Sequence, residues 1–193
     1  MISSKIGNFF FKIRSFTPIP FIFALLYFAK PAWHTVVIGV PFIVAGEFLR
    51  IWAVGYAGAS TRARTLGAAR DLVTTGPYSY VRNPLYLGNF LLSLGVCLVA
   101  NVYWLVAVLI VGYFFQYLPI IAVEEAYLLE SCGSVYQTYR EQISRFVPQF
   151  RPYPEPSDHD FSFPRALKSE KRTLTAIVCV IALIFARQAI NVL

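Results

Sequence analysis

The sequence predicts an all-α, multi-pass integral membrane protein with about five transmembrane helices. Composition and the placement of charge predict it. Of the 193 residues, 57% are hydrophobic and only 14% are charged, and the mean hydropathy is +0.58. A water-soluble domain carries roughly 25% charged residues, so this chain has too few to cover a solvated surface. The net charge is +7, yet the cations lie between long apolar runs rather than in one patch or tail. That pattern argues for membrane orientation and against nucleic-acid binding.

Residues 16–33 form the first expected span, with Pro18, Pro20 and Pro31 bracketing its apolar core, Lys30 snorkelling and Trp33 at the interface. The preceding Lys5, Lys12 and Arg14 imitate a signal peptide. Cleavage after Ala29 would need a small residue where Tyr27 stands, so a retained signal-anchor is expected. Residues 35–57, TVVIGVPFIVAGEFLRIWAVGYA, are the clearest span, longer than the ~20 residues that cross a hydrocarbon core. Residues 85–100 and 102–123 are separated by Asn101 alone and read as a tight helical hairpin, and residues 173–190 form the last span.

Fourteen of the 17 Lys and Arg residues fall before the first span, between the second and third, or between the fourth and fifth. The positive-inside rule then puts the amino terminus and both large loops in the cytoplasm and the carboxyl terminus outside. The chain reads as one membrane domain, residues 1–193, with a functional core at 70–148, a Pro- and Asp-rich linker within 149–172 and a final transmembrane helix at 173–190. Residues 124–143 have the composition of an amphipathic helix interrupted near Gly133.

Three cysteines, two of them (Cys97 and Cys179) inside apolar runs, argue against a disulfide framework. No Cys-x-x-Cys pair occurs, and His34 and His159 fall on opposite sides in this topology, so no metal site is expected.

Two constellations carry potential chemistry. In LVTTGPYSYVRNPLYLG, residues 72–88, Gly76-Pro77 makes a turn and Arg82-Asn83-Pro84 ends the irregular backbone just before a helix. Proline in the first helical turn leaves neighbouring backbone donors aimed outward. A mouth lined by Tyr78 and Tyr86 suits a polar ligand with an aromatic ring, although tyrosines also serve as plain interfacial anchors. The second constellation is Glu124-Glu125 at the end of the hairpin. Adjacent carboxylates near a helix carboxyl end oppose the macrodipole and repel each other, a placement that implies compensating partners or use. Glu47 and Arg50, one turn apart inside the second span, read as an ion pair or as part of a substrate cavity.

The order LVTTGPY, RNPLY-x-G, a hairpin, then EEAYLLESCGSVYQTYREQISRFVP resembles the isoprenylcysteine carboxyl methyltransferase family and its bacterial relatives, over roughly residues 70–148. The resemblance implies a membrane enzyme that uses S-adenosylmethionine, bound from the cytoplasm. It places Leu72 and Val73 at the edge of the cofactor pocket, makes Tyr78 a contact, and aligns Asn83, Pro84, Leu85 and Tyr86 with the family's His-Pro-x-Tyr segment. Glu124 matches the glutamate that binds the cofactor, with Glu125 beside it. Three departures stand out: Asn83 replaces a histidine, Arg70 replaces another, and Ile120 occupies the place of a substrate-binding arginine.

The expected function is therefore methyl transfer to a lipid or lipidated acceptor at the cytoplasmic membrane face, with a prenylcysteine-type carboxylate as one such acceptor. In-line transfer needs alignment and water exclusion more than acid or base, and no residue is assigned a catalytic role. Two alternatives stand beside it. One is a non-catalytic membrane scaffold or transport module; the other is a nicotinamide-dependent sterol-type reductase, for which Arg62, Arg64, Arg70 and Arg82 would bind the extra phosphate.

Overall fold

Proline and asparagine set the helix boundaries that the apolar runs leave open. The computed structural model describes residues 2–58 and 72–192. Among them are six α-helices, α1 Ile2–Ile13, α2 Pro18–Phe28, α3 Trp33–Ala57, α4 Pro84–Val99, α5 Tyr103–Gln142 and α6 Phe163–Val192, with a 3-10 turn at Gly76–Ser79 and no strand. Pro18 and Pro84 each open a helix, where the missing N–H costs nothing. The chain turns between α4 and α5 at Asn101, whose φ of 59° is left-handed and tolerated by asparagine. The interruption expected near Gly133 is present as a bend in α5, with φ 57° at that glycine.

Three helices are long and apolar enough to cross a bilayer: α3, α5 and the Phe163–Ile190 part of α6. The first expected span is instead a broken one, in which Lys5–Ile13 and Pro18–Phe28 meet at a bend of 52°. Helix α4 has 16 residues and a length of about 24 Å, short of the ~30 Å hydrocarbon core. By length and composition the count is three spans, or four with the broken pair, and not five. Helix α6 starts ten residues before its apolar run, because Pro164 lies in its first turn and initiates rather than breaks it.

Helices α3 and α4 approach closely, antiparallel, with Gly39 against Gly95 and Gly46 against Gly88. A Cβ on Gly39 would lie 2.6 Å from the Gly95 carbonyl oxygen, and one on Gly46 would lie 2.7 Å from that of Gly88. Two glycines seven residues apart on each helix keep one face bare, which lets backbones touch where the hydrophobic effect cannot drive association.

Two ends of the bundle are distinguishable. At one, the Lys30 N–H donates to Ala100 O at 2.9 Å, Asn101 Nδ2 to Lys30 O at 3.0 Å and Arg187 to Ala29 O at 3.0 Å. The exposed Trp33, Tyr103 and Trp104 surround these turns, as interfacial aromatics do. Leu25, Cys97, Leu105, Leu109 and Ile184 form the core between α2, α4, α5 and α6. At the other end, a second cluster of Tyr136, Tyr139, Ile143 and Tyr153 packs against Leu72, and Ser162 N–H and Arg165 both donate to Gly55 O.

Candidate functional site

At that second end, the segment leading into α4 is pinned from both sides. Gly76 takes φ 62°, and a Cβ there would meet the Tyr56 ring at 2.3 Å, so the turn requires glycine. The chain following α5 clamps the turn: Arg82 N–H donates to Ser144 O at 2.9 Å, Gln149 N–H to Tyr80 O at 3.0 Å and Tyr153 N–H to Ser79 O at 2.9 Å. Tyr139 Oη donates to Tyr78 O at 2.7 Å. Thr74 and Ser157 exchange hydrogen bonds farther out, at 2.9 and 2.7 Å.

Asn83 sits at the N-cap of α4 without capping it. Its side-chain Nδ2 donates to Arg145 O at 3.2 Å instead. The first backbone N–H groups of α4 therefore have no side-chain acceptor at the cap and carry the positive end of the helix dipole.

Opposite this mouth lies Glu124. The Tyr86 hydroxyl donates to Glu124 Oε1 at 2.9 Å, and the Tyr113 hydroxyl donates to Tyr86 O at 2.6 Å. The rings of Tyr86 and Tyr117 stand 5.1 Å apart and those of Tyr113 and Tyr117 4.3 Å apart, forming an aromatic wall. Burial, and then the negative charge of Glu124, push the Tyr78 phenol well above its ordinary range, while Arg50 acts in the opposite sense. Tyr78 thus stands within the field of the same carboxylate.

Glu125 is turned to other partners. Arg145 Nε donates to its Oε1 at 3.0 Å and a second Arg145 nitrogen reaches Oε2; Arg82 lies 3.1 Å from Oε1. The hydrogen bond to Glu125 holds the Arg145 guanidinium above its usual range. This ion cluster joins α5, the α4 approach and the segment after α5.

Of the residues singled out by sequence, Tyr78, Asn83, Pro84, Tyr86, Glu124 and Glu125 gather around the start of α4. Pro84 is buried and Leu85 half-buried on the first turn. Leu72 and Val73 are half-buried at the beginning of the clamped segment, and Leu72 packs on the Tyr136 cluster. Arg50 is held by Glu170 of α6, with Nε at 3.0 Å, and by Asn89 of α4. Arg62, Arg64 and Arg70 lie outside the described residues. Sequence reasoning passed over Tyr113, Tyr117 and Arg145. The signal for the tyrosines was their spacing: positions 113, 117 and 124 recur on one helical face.

A carboxylate beside an aromatic wall and an uncapped helix start can accept hydrogen bonds from hydroxyls and attract an onium centre electrostatically and through ring faces. These features define a helical membrane protein that gathers a carboxylate, an aromatic wall and an uncapped helix start at one end of the bundle. The family model for phospholipid methyltransferases matches residues 34–134, more than half of the chain, and the chain belongs to this family. The matched stretch runs from the start of α3 to the bend in α5 and includes all nine of the residues singled out for the site.

Two curated relatives are similar over the same region. The Protein-S-isoprenylcysteine O-methyltransferase of Schizosaccharomyces pombe is 35% identical over 130 residues, 64% of this chain and 53% of that protein. The nickel-cobalt-cadmium resistance protein NccN of Alcaligenes xylosoxydans xylosoxydans is 31% identical over 122 residues, 62% of this chain and 57% of that one. The match spans a little over half the length of these relatives. No solved structure matches.

Proposed function

We propose that this chain transfers the methyl group of S-adenosylmethionine to a lipid or lipidated acceptor at the cytoplasmic face of a membrane. The observation that carries the reading is the Tyr86–Glu124 hydrogen bond across the α4–α5 interface, 2.9 Å long and walled by Tyr113 and Tyr117. Its donor set suits this cofactor: a carboxylate for ribose hydroxyls or for the sulfonium charge, ring faces for the adenine, and helix N–H groups for its carboxylate. Leu72, Val73, Tyr78, Asn83, Pro84, Leu85 and Tyr86 form one side of the pocket in this reading, and Glu124 the other. Glu125 acts on the pocket from behind by fixing Arg82 and Arg145.

When bound, the cofactor supplies a methyl carbon activated by its sulfonium. The protein holds the acceptor's nucleophile in line with that carbon and excludes water. Glu124 favours the cation in the bound state, and the tyrosine wall keeps the surroundings dry. A carboxylate acceptor needs no base. Ile120, fully buried on α5, offers no charge to it, so the acceptor's apolar chain supplies most of the recognition. The Schizosaccharomyces pombe relative's name supports a lipidated carboxylate as one acceptor.

Membrane topology follows the cation distribution. In this reading residues 76–83 lie at headgroup depth, so the pocket opens to the cytoplasm while the acceptor enters sideways between α3, α4 and α5. Purified protein incubated with native membrane lipids and methyl-labelled S-adenosylmethionine tests the reading. Label in the lipid fraction is the expected result, and base-lability of that label identifies an ester. No transfer to any lipid fraction contradicts the proposal.

A further inference from the structure

Helix α6 changes character after Arg172, from basic to apolar. A groove of about 570 Å³ straddles that change, lined by Pro164, Leu167, Lys168, Lys171, Leu174 and Thr175. Lys168 and Lys171 are exposed, one turn apart, and among the described residues no salt bridge engages them. The single acid of α6, Glu170, faces the opposite way, fully buried against Arg50. The groove thus presents two uncompensated cations and no carboxylate.

Below the lysines the same helical face continues through Val178, 66% exposed, and Phe185, 43% exposed. Only 6% of the residues in the apolar stretch of α6 are buried. The charged groove and the apolar track have the order of a lipid molecule: an anionic headgroup at the boundary and an acyl chain running down the helix.

We propose that this face of α6 is a binding site for an anionic phospholipid, separate from the Tyr86–Glu124 pocket and independent of the acceptor methylated there. The phosphate lies between Lys168 and Lys171, with an acyl chain along Leu174, Val178 and Phe185. Cations at the membrane boundary attract anionic lipid by about 1 kcal/mol each, and basic grooves on spanning helices bind such headgroups. Charge complementarity selects the occupant, since a zwitterionic lipid gains little from two lysines.

The full chain in detergent, titrated separately with phosphatidylglycerol, phosphatidylcholine and inorganic phosphate and read by native mass spectrometry, tests the site. The parent should retain a single phosphatidylglycerol, lose phosphatidylcholine on the same activation, and show no displacement by phosphate. K168Q/K171Q, a change of two exposed side chains, should weaken phosphatidylglycerol binding about thirtyfold, two such contributions converted to affinity. Equal retention of the two lipids, displacement by free phosphate, or undiminished phosphatidylglycerol in the variant would each overturn the proposal. None of these outcomes depends on methyl transfer.

Discussion

Glu124 and Glu125 are neighbours in the chain and serve different segments: Glu124 accepts from Tyr86 of α4 at 2.9 Å, whereas Glu125 is bound by Arg145, after α5, at 3.0 Å and by Arg82, before α4, at 3.1 Å. Successive residues on an α-helix diverge by about 100°, so one carboxylate reaches the pocket while the next anchors the chain behind it. The repulsion within the pair is offset by two guanidinium groups on Glu125.

This division predicts a stability defect for Glu125→Gln that Glu124→Gln lacks. Removing the charge leaves Arg82, with its side chain 10% exposed, short of a partner, while Arg145 at 40% exposed is partly rescued by water. The expected loss is about 1 to 2 kcal/mol, below the range for fully buried pairs because of that exposure. Thermal unfolding in detergent checks it, and a melting temperature equal to that of the parent would remove Glu125 from the structural role.

The α3–α4 seam predicts a contrast among glycines. Gly88→Ala would put a Cβ 2.6 Å from Arg50 Cγ and 2.9 Å from the Gly46 carbonyl oxygen, whereas Gly112 has nothing within 4 Å. Gly88→Ala should destabilise by about 1 to 3 kcal/mol through overpacking. Gly112→Ala should be neutral or slightly stabilising, since alanine is the better helix former. Equal melting temperatures for the two variants would contradict the close packing.

Asn83→His should preserve cofactor binding, because either ring or amide can present a donor toward Arg145 O, now accepting from Asn83 Nδ2 at 3.2 Å. Asn83→Leu loses the bond and should weaken binding. Titration calorimetry distinguishes them. Undiminished affinity in Asn83→Leu would mean that the segment acts through its backbone alone.

Much of this architecture was legible in the sequence, for physical reasons that differ by element. The hairpin around Asn101 was readable because two apolar runs left a single polar residue between them. The bend at Gly133 was readable from composition. Hidden were contacts between distant segments: nothing local to Arg50 points to Glu170, 120 residues away, when Glu47 sits one turn off. Likewise Arg145 lies in a charged loop where any cation passes for a solvated one, and Tyr113 and Tyr117 are masked by the apolar run that contains them. Helix α4 read as a full span because it is apolar throughout and one half of the hairpin, although its 16 residues fall short of the ~20 that cross a hydrocarbon core.

Topology yields a direct prediction. Phe150 is fully exposed at the pocket end, and Lys30 is exposed at the other. With Cys97, Cys132 and Cys179 replaced, Phe150→Cys should resist an impermeant thiol reagent in intact cells and react once they are opened, while Lys30→Cys should react from outside. The exchanged pattern would put the pocket on the side opposite the cytosolic methyl donor.

Glu124, presented by Tyr86, is the proposed ligand of S-adenosylmethionine. Titration calorimetry of the purified chain and of Glu124→Gln, with far-UV dichroism to verify the fold, tests it most directly. The account predicts saturable binding to the parent and a roughly ten- to hundredfold weaker affinity in the variant, the loss of one charge-assisted hydrogen bond worth about 1.5 to 3 kcal/mol. Equal affinity in a folded variant would contradict the site, and no binding to the parent would contradict the cofactor.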